Sequence, residues 1–205
     1  MKNKRHLLLI LYVPLYLFCF YLLERHVTTD YWVAYLPIDD RIPFLPGFVV
    51  FYVLWYPFMI GTGFYLLFRD VPTFKRYMWF IIIGFSLSLA ICALFPNGQN
   101  LRPTVFADSS IFTRIVQALY RTDTNTNVLP SMHVVGCVAV VLAVFYCKSL
   151  KNGWIRSGTV LMATLISAST LLIKQHSVLD LLAALAVSVP VWGIVYGKAS
   201  LRGKR

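Results

Sequence analysis

Two histidines and one aspartate have the residue types and spacing for nucleophilic and acid–base chemistry. His176 and Asp180 lie four positions apart, a spacing that places them on one face of a helix. A carboxylate bonded to one imidazole nitrogen fixes the tautomer and leaves the other nitrogen with an outward lone pair. With His133 approaching from another helix, one histidine could attack phosphorus while the other protonates the departing oxygen.

Cations and neutral donors in the same parts of the sequence indicate the class of substrate. Arg102 and Lys174 would supply positive charge for a tetrahedral oxyanion, the arginine through a planar fork that suits phosphate. Ser131 and the first backbone amides of the helix that follows it would add neutral donors. Together these groups predict a phosphate pocket with its own acid and nucleophile.

Each of these residues also has an ordinary explanation when it is taken alone. Arg102 at the end of a span could extend to the lipid headgroups, and Lys174 could be a surface lysine. His133 could be an interfacial histidine, and His176 with Asp180 could cap a helix or belong to a proton path. A shared site is favoured because all of them are predicted at the same end of membrane-spanning segments.

The rest of the chain is organised to hold these residues in a membrane. Of its 205 residues, 59% are hydrophobic and 13% are charged, and the mean hydropathy is +0.70, unlike a soluble domain. A helix needs roughly 20 apolar residues to cross about 30 Å of hydrocarbon. Six runs predict a six-helix, all-α membrane bundle that forms a single domain over residues 1–205: 7–23, 47–68, 77–95, 131–147, 157–173 and 178–196.

The distribution of the net charge of +11 predicts the orientation of this bundle. With both termini cytoplasmic, the inside segments hold 13 of the 19 Lys and Arg residues, as cytoplasmic loops tend to do. The polar groups then lie on the outer face. The charge therefore reflects topology, and a nucleic-acid-binding surface is not predicted. The basic start MKNKRH resembles that of a signal peptide, but the long apolar run without a cleavage site predicts a retained anchor.

The longest connection, residues 96–130, is predicted on the outside and contains an amphipathic helix. Its stretch SSIFTRIVQALY places apolar residues on one helical face after serines suited to capping. Such a helix would rest on the outer membrane surface or cover a site. The four cysteines all fall within apolar runs and form no metal-binding pattern, so neither a metal nor another cofactor is expected.

These polar groups resemble the signature of the type 2 phosphatidic acid phosphatase and haloperoxidase superfamily. That signature reads Lys-x6-Arg-Pro, then Pro-Ser-Gly-His, then Ser-Arg-x5-His-x3-Asp. Here it is matched by Arg102-Pro103, by the stretch PSMH from Pro130, and by Ser169, His176 and Asp180. Order, spacing and predicted topology agree over about residues 96–185.

Three positions depart from that signature. Phe95 stands where the first motif has Lys, Met132 replaces the Gly, and Thr170 replaces the third motif's Arg. Two phosphate-binding cations are therefore missing, and Lys174 is a candidate to replace one of them. The stretches PSMHVVG, KQHSVLDLLA and RIPFLPGFVVFYVLWYPF resemble most closely the branch that contains inositol phosphorylceramide synthases. In that branch the same histidine chemistry moves a phosphoryl headgroup from one lipid to an alcohol instead of to water.

The resemblance implies a role for each matched residue. His176 is implied as the nucleophile that forms a phosphohistidine, Asp180 as its orienting partner and His133 as the general acid for the leaving group. The implied phosphate ligands are Arg102, Ser131 and the amide of Met132. Lys174 joins them on charge alone. The family works without a metal, and this chain offers no carboxylate cluster that would hold one.

We therefore expect a metal-independent lipid phosphatase that hydrolyses a lipid phosphate or diphosphate on the outer face of a bacterial plasma membrane. Its expected partners are the lipid substrate and the membrane. The first alternative is a phosphotransferase that moves a phospholipid headgroup to a lipid or polyol acceptor. The second is a lipid-binding or transport protein without chemistry, which the missing cations at Phe95 and Thr170 support.

Overall fold

The computed structural model describes residues 5–202, with side chains over 5–197, and its regular structure is mostly helical. The basic termini used to predict orientation, residues 1–4 and 203–205, lie outside the described residues. The α-helices are α1 (Tyr12–His26), α2 (Val49–Arg69), α3 (Val71–Leu94), α4 (Ile111–Thr122), α5 (Met132–Tyr146), α6 (Gly153–Leu172) and α7 (Val178–Arg202). Short 3-10 helices cover Arg5–Leu11, Pro37–Arg41, Pro46–Phe48 and Lys148–Leu150, and the strands are β1 (Trp32–Val33) and β2 (Asn97–Gly98).

Five helices in the described part of the chain are long and apolar enough to cross a membrane. They cover Arg5–His26, Pro46–Arg69, Val71–Leu94, Gly153–Leu172 and Val178–Gly197. Each coincides with one of the predicted spans to within two turns. This is the pattern of an α-helical membrane protein.

The remaining predicted span, 131–147, forms α5, which is the central helix of the bundle. At 15 residues it is about 22 Å long, shorter than the hydrocarbon layer of about 30 Å. It packs against α2, α3, α6 and α7. The approach of α2 requires a glycine at position 136, because a Cβ on Gly136 would lie 2.8 Å from Nε1 of Trp55. The six-span count stays a prediction.

The start of α3 differs from the sequence prediction. A loop is predicted over residues 69–76, yet α3 follows α2 after the single residue Asp70. The Asp70 carboxylate accepts the amide of Thr73 at 3.1 Å and so caps the new helix, which propensity alone would not reveal. Lys75 and Arg76 therefore lie on a helix, where their side chains share a face with the residues that follow.

Residues 96–130 fold over the end of the bundle at which α5 and α7 begin. β2 pairs in parallel with β1, which places Asn97 beside Trp32. The Asn97 side chain accepts the amides of Val128 and Leu129 at 3.0 and 2.8 Å, and these bonds join the start of the loop to its end. α4 lies within this loop and packs its buried Val116 against α2. Its relation to the membrane surface stays a prediction.

Candidate functional site

The structure brings His176 and Asp180 together at the start of α7. Nδ1 of His176 lies 3.1 Å from Oδ2 of Asp180, and the Ser177 amide donates to the same oxygen at 2.9 Å. His176 is 9% exposed and Asp180 is fully buried. With the Asp180 carboxyl as the acceptor, Nδ1 donates this hydrogen bond, and Nε2 on the far side of the ring points away from Asp180.

The first turn of α7 is held by Asp39, from a distant part of the chain. One carboxylate oxygen of Asp39 accepts the amide of Val178 at 2.8 Å, and the other accepts the hydroxyl of Ser177 at 2.6 Å. Asp39 thereby caps the N-terminus of α7, where amides lack acceptors within the helix and negative charge is favourable. Since Asp39 is itself buried, this cap fixes the position of the segment that carries His176.

Lys174 lies two residues before His176, but its ammonium group contacts the Asp39 segment. Nζ donates to the backbone oxygen of Asp39 at 2.7 Å, and a φ of 54° places Lys174 in the left-handed region. Burial lowers the pKa of Lys174, while the charges of Asp39 and Asp40 act in the opposite direction. The observed bond helps to hold the start of α7, and contact of Lys174 with phosphate stays a prediction.

His133, the second residue of α5, lies beside His176 and among aromatic rings. The two imidazole centroids are 5.9 Å apart, with ring planes inclined by 62°. The His133 ring also contacts Tyr52 and Trp55, at centroid distances of 4.3 and 4.6 Å. The Trp55 indole donates to the His133 backbone oxygen at 3.1 Å. One imidazole is thus positioned by a carboxylate and the other by aromatic packing.

Arg102 reaches this cluster from the loop after α3. Its guanidinium lies 4.5 Å from the centre of the Tyr120 ring and donates to the backbone oxygens of Tyr120, Asp123 and Thr124. Nη2 also donates to Oε1 of Gln175 at 2.5 Å. Burial lowers the pKa of Arg102, yet a guanidinium stays charged in proteins. The arginine is therefore anchored beside Gln175, the residue before His176, while it retains its charge.

Asp123 adds a carboxylate to the cluster, and the sequence analysis did not predict this residue. It accepts the Tyr52 hydroxyl at 3.0 Å and the Gln175 side-chain amide at 3.2 Å. Burial raises the pKa of Asp123, while the Tyr52 hydrogen bond and the charges of His176 and Arg102 lower it. A raised pKa keeps the carboxyl protonated to higher pH, and a protonated carboxyl repels a phosphate less than a carboxylate does.

Ser131 and Met132 form the N-terminus of α5, close to Asp180. The Ser131 amide donates to the Asp180 backbone oxygen at 3.1 Å, which joins the starts of α5 and α7. The Ser131 hydroxyl caps no amide, and the first amides of a helix lack acceptors within it and attract anions. The Met132 thioether contacts the Tyr16 hydroxyl of α1, so this side chain faces α1 while its backbone belongs to the start of α5.

Phe95 and Thr170, which stand where the signature of the similar superfamily has Lys and Arg, carry no charge. Phe95 is 70% exposed at the end of α3. Thr170 is buried in α6, where its hydroxyl bonds within its own helix and its backbone oxygen accepts the amide of His176 at 3.1 Å. Thr170 thus helps to position the histidine, and Arg102 is the cation that the structure brings to this cluster.

Buried polar atoms without hydrogen-bond partners are concentrated in the same place. Among the side chains that the structure describes there are seven, and four of them belong to this cluster: Arg102 Nε, Ser131 Oγ, His133 Nε2 and Asp180 Oδ1. An unsatisfied buried polar group costs about 1–3 kcal/mol, so four together indicate a site shaped for a polar ligand. Over the same part of the chain, no group of three or more His, Cys, Asp or Glu side chains could hold a metal ion.

Sequence reasoning missed the residues that support this cluster, which are Asp39, Tyr52, Trp55, Asp123 and Gln175. Tyr52 and Trp55 are three apart in α2, a spacing that signals a shared face without showing what it contacts. Asp39 and Asp123 are loop acids whose partners lie far along the chain, so no local pattern marks them. Comparison with protein-family models, curated proteins and solved structures finds no match for this chain.

Proposed function

We propose that this protein is a metal-independent phosphatase that hydrolyses a lipid phosphate or diphosphate through a phosphohistidine on His176. The observation that carries the proposal is the pair of imidazoles with centroids 5.9 Å apart, one of them bonded through Nδ1 to a buried carboxylate. That bond prepares Nε2 of His176 as a nucleophile. The neighbouring His133 is placed to exchange a proton with the leaving oxygen.

The reaction proceeds in two steps. First, Nε2 of His176 attacks phosphorus, the bond from phosphorus to the lipid oxygen breaks, and protonated His133 gives its proton to that oxygen. Second, neutral His133 takes a proton from water, whose oxygen attacks phosphorus and breaks the bond to His176. Inorganic phosphate leaves, and both histidines return to their initial protonation states.

Charge on the transferring group is stabilised by donors that have no partner within the protein. Arg102 Nε and Ser131 Oγ are buried and unpaired among the described residues, and the first amides of α5 lie beside Ser131. Preorganised donors of this kind stabilise the charge of a transition state without reorganisation. The raised pKa of Asp123 favours its neutral form and so reduces its repulsion of a phosphate.

A lipid substrate is favoured by the depth of the cluster. His133 and His176 lie at the starts of α5 and α7, and in the proposed topology the helix starts are at the depth of the lipid headgroups. The proposed topology has six spans, with α5 crossing where the bilayer thins or the helix tilts. It places both termini in the cytoplasm and the cluster on the outer face of a bacterial plasma membrane, in line with the distribution of Lys and Arg.

A phosphotransferase is the second candidate, and one observation favours it. The Met132 side chain contacts Tyr16 of α1, a helix without buried side chains. An apolar group therefore lies between the start of α5 and the lipid-facing α1, where the acyl chains of a lipid acceptor would pass. In that reaction an acceptor hydroxyl replaces water in the second step.

The phosphohistidine tests the shared mechanism. The purified protein is incubated with a panel of lipid phosphates and diphosphates labelled with ³²P, with and without chelator, and the protein is examined for label. We expect an acid-labile, alkali-stable phosphoenzyme in the wild type and in the control variant His26→Ala, which removes an exposed histidine at the end of α1. His176→Ala should give neither label nor turnover. Turnover that persists in His176→Ala would refute the mechanism.

The products separate the two reactions and the non-catalytic alternative. Labelled phospholipid is supplied with ceramide, diacylglycerol or inositol as the acceptor. Free phosphate identifies the phosphatase, and a new labelled phospholipid or polyol phosphate identifies the transferase. A protein that binds the lipids but yields neither phosphoenzyme nor product is a lipid-binding or transport protein.

A further inference from the structure

A cavity of about 570 Å³ lies between α3 and α7 at the opposite end of the bundle from the histidines. Its walls include Lys75, Arg76, Trp79, Ile83, Ile194 and Val195. These residues come from the start of α3 and the end of α7, whereas the histidine cluster lies at the start of α7. The cavity therefore opens towards the other leaflet and is separate from the proposed phosphatase site.

The α3 wall changes from cationic to apolar in the direction of the membrane interior. Lys75 and Arg76 come first, and Trp79 and Ile83 follow on the same helix face. At 1.5 Å per residue, Trp79 lies about 6 Å and Ile83 about 12 Å deeper than Lys75. This order matches a phospholipid, whose phosphate lies at the surface and whose acyl chains lie below it.

The two cations at the mouth of the cavity, Lys75 and Arg76, have no carboxylate partner among the described side chains. Lys75 is exposed and Arg76 is half-buried, and neither makes a hydrogen bond or an ion pair with the side chains that the structure describes. The nearest acid in the chain, Asp70, is engaged as the cap of α3 through the amide of Thr73. No carboxylate within the described cavity wall competes for the two charges.

We propose that this cavity binds an anionic phospholipid from the leaflet opposite the histidine cluster. The lipid phosphate contacts Lys75 and Arg76, and the glycerol and upper acyl chains lie against Trp79, Ile83 and Ile194. Basic pockets between membrane helices suit anionic headgroups. A zwitterionic lipid fits less well, because its own ammonium group would lie against two cations.

Lipid binding to the full-length purified protein tests this proposal. Native mass spectrometry in detergent follows separate titrations with phosphatidylglycerol and phosphatidylcholine. We expect Lys75→Gln/Arg76→Gln to lower the affinity for phosphatidylglycerol about 30-fold, since each basic residue near an anionic lipid contributes roughly fivefold. The affinity for phosphatidylcholine should stay within about twofold, because no net charge is attracted.

Two further variants separate a defined site from general attraction. Lys148→Gln/Lys151→Gln removes two exposed charges outside the cavity wall and should leave the affinity for phosphatidylglycerol unchanged. Ile83→Trp fills the apolar part of the cavity without a change in charge and should weaken binding. The proposal would be overturned if both double variants lost the same affinity for phosphatidylglycerol, or if the wild type bound the two lipids equally. Full competition by soluble glycerol phosphate would overturn it as well. None of these readouts depends on the histidines, so the proposed phosphatase activity is judged separately.

Discussion

The two ends of the α3 and α7 pair differ in the burial and pairing of their charged side chains. At the end with His176, the carboxylates of Asp180 and Asp39 are buried and bonded, one to an imidazole and the other to a backbone amide. At the end with Lys75, two cations stand at a cavity without bonded partners among the described side chains. Buried groups with fixed partners hold a defined geometry. Exposed charges attract ligands over a distance but do not fix the geometry in which they bind.

This difference has energetic consequences that substitutions can measure. Removal of one partner from a buried charged pair costs about 3–5 kcal/mol, whereas surface substitutions usually change stability by less than about 0.5 kcal/mol. Changes at the histidine end should therefore affect both folding and chemistry. Changes at the cationic end should affect lipid binding alone.

The largest effect is expected from Asp180→Asn, which keeps the shape of the side chain but removes the charge that orients His176. Under the proposed mechanism, the wrong tautomer should lower kcat by about 10³- to 10⁴-fold, as in other carboxylate–histidine pairs. The measurement is the initial rate with a lipid phosphate, with thermal unfolding as the check on folding. Asp30→Asn, at an exposed acid, is the control. A loss of less than tenfold in Asp180→Asn would show that the carboxylate does not orient the histidine.

Asp39→Ala tests whether the histidine end depends on its distant cap. The variant loses acceptors for the amide of Val178 and the hydroxyl of Ser177. The loss should lower the free energy of unfolding by about 3 kcal/mol, given the cost of unsatisfied buried groups and of a lost cap. Thermal unfolding in detergent measures it. The neighbouring Asp40, which is exposed and bonds Tyr35, gives the control Asp40→Ala, and equal destabilisation by both variants would contradict the assignment.

Alanine substitutions at Gly136 and Gly158 compare how tightly the helices pack near the two ends of the bundle. A Cβ on Gly136 would lie 2.8 Å from Trp55 Nε1, so Gly136→Ala should force Trp55 away from His133 and cost about 2 kcal/mol. Gly158 in α6 has nothing within 4 Å of such a Cβ, and Gly158→Ala should stabilise the protein by about 0.5–1 kcal/mol through helix propensity. Tryptophan fluorescence together with thermal unfolding would show the shift. Stabilisation by both substitutions would mean that α2 and α5 are not in close contact.

The smallest effect is expected from Asp123→Asn, which should change how the thermal stability of the protein depends on pH. Burial raises the pKa of folded Asp123 above the ordinary value of 3.8. The stability that this group contributes is fully present below that ordinary value and is lost as the pH rises through the raised folded pKa. Because asparagine does not ionise, the Tm of the variant relative to wild type should rise with pH over this range.

A second acid provides the control of opposite sign. Hydrogen bonds from Thr113 and Ser110 lower the pKa of Asp108, so its contribution to stability is present above the ordinary carboxyl pKa and is lost as the pH falls. Relative to wild type, Asp108→Asn should therefore be least stable at higher pH. The same trend in both variants would show that burial does not control the titration of Asp123.

The sequence predicted the apolar helices and the contact of His176 with Asp180 because both depend on local spacing. Apolar runs of about 20 residues mark the five membrane-length helices of the described chain. The spacing of four predicted one helix face for His176 and Asp180; the contact forms, although His176 lies two residues before α7 and Asp180 lies in its first turn. The start of α3 was predicted wrongly because Lys75 and Arg76 read as a loop. In the structure the Asp70 cap begins the helix before these charges.

The supporting residues depend on contacts between distant parts of the chain, which a single sequence does not show. Tyr52 joins the site because α2 and α5 pack closely at Gly136, and Gln175 joins it because Arg102 is held by the end of α4. Lys174 bonds the backbone of Asp39, a contact that no local pattern in the sequence indicates. Residue type and order therefore predicted that His133, His176 and Asp180 come together, but not what holds them.

The cap that Asp39 provides for α7 can form only late in the synthesis of the chain. Asp39 leaves the ribosome early, whereas its partner Ser177 follows 138 residues later. Until α7 has been inserted, Asp39 and the loop that carries it lack the bonds that bury them. The end with the histidines is therefore completed only once α7 has been made, and a chain released before α7 would leave the Asp39 carboxylate without the amide and the hydroxyl that it accepts.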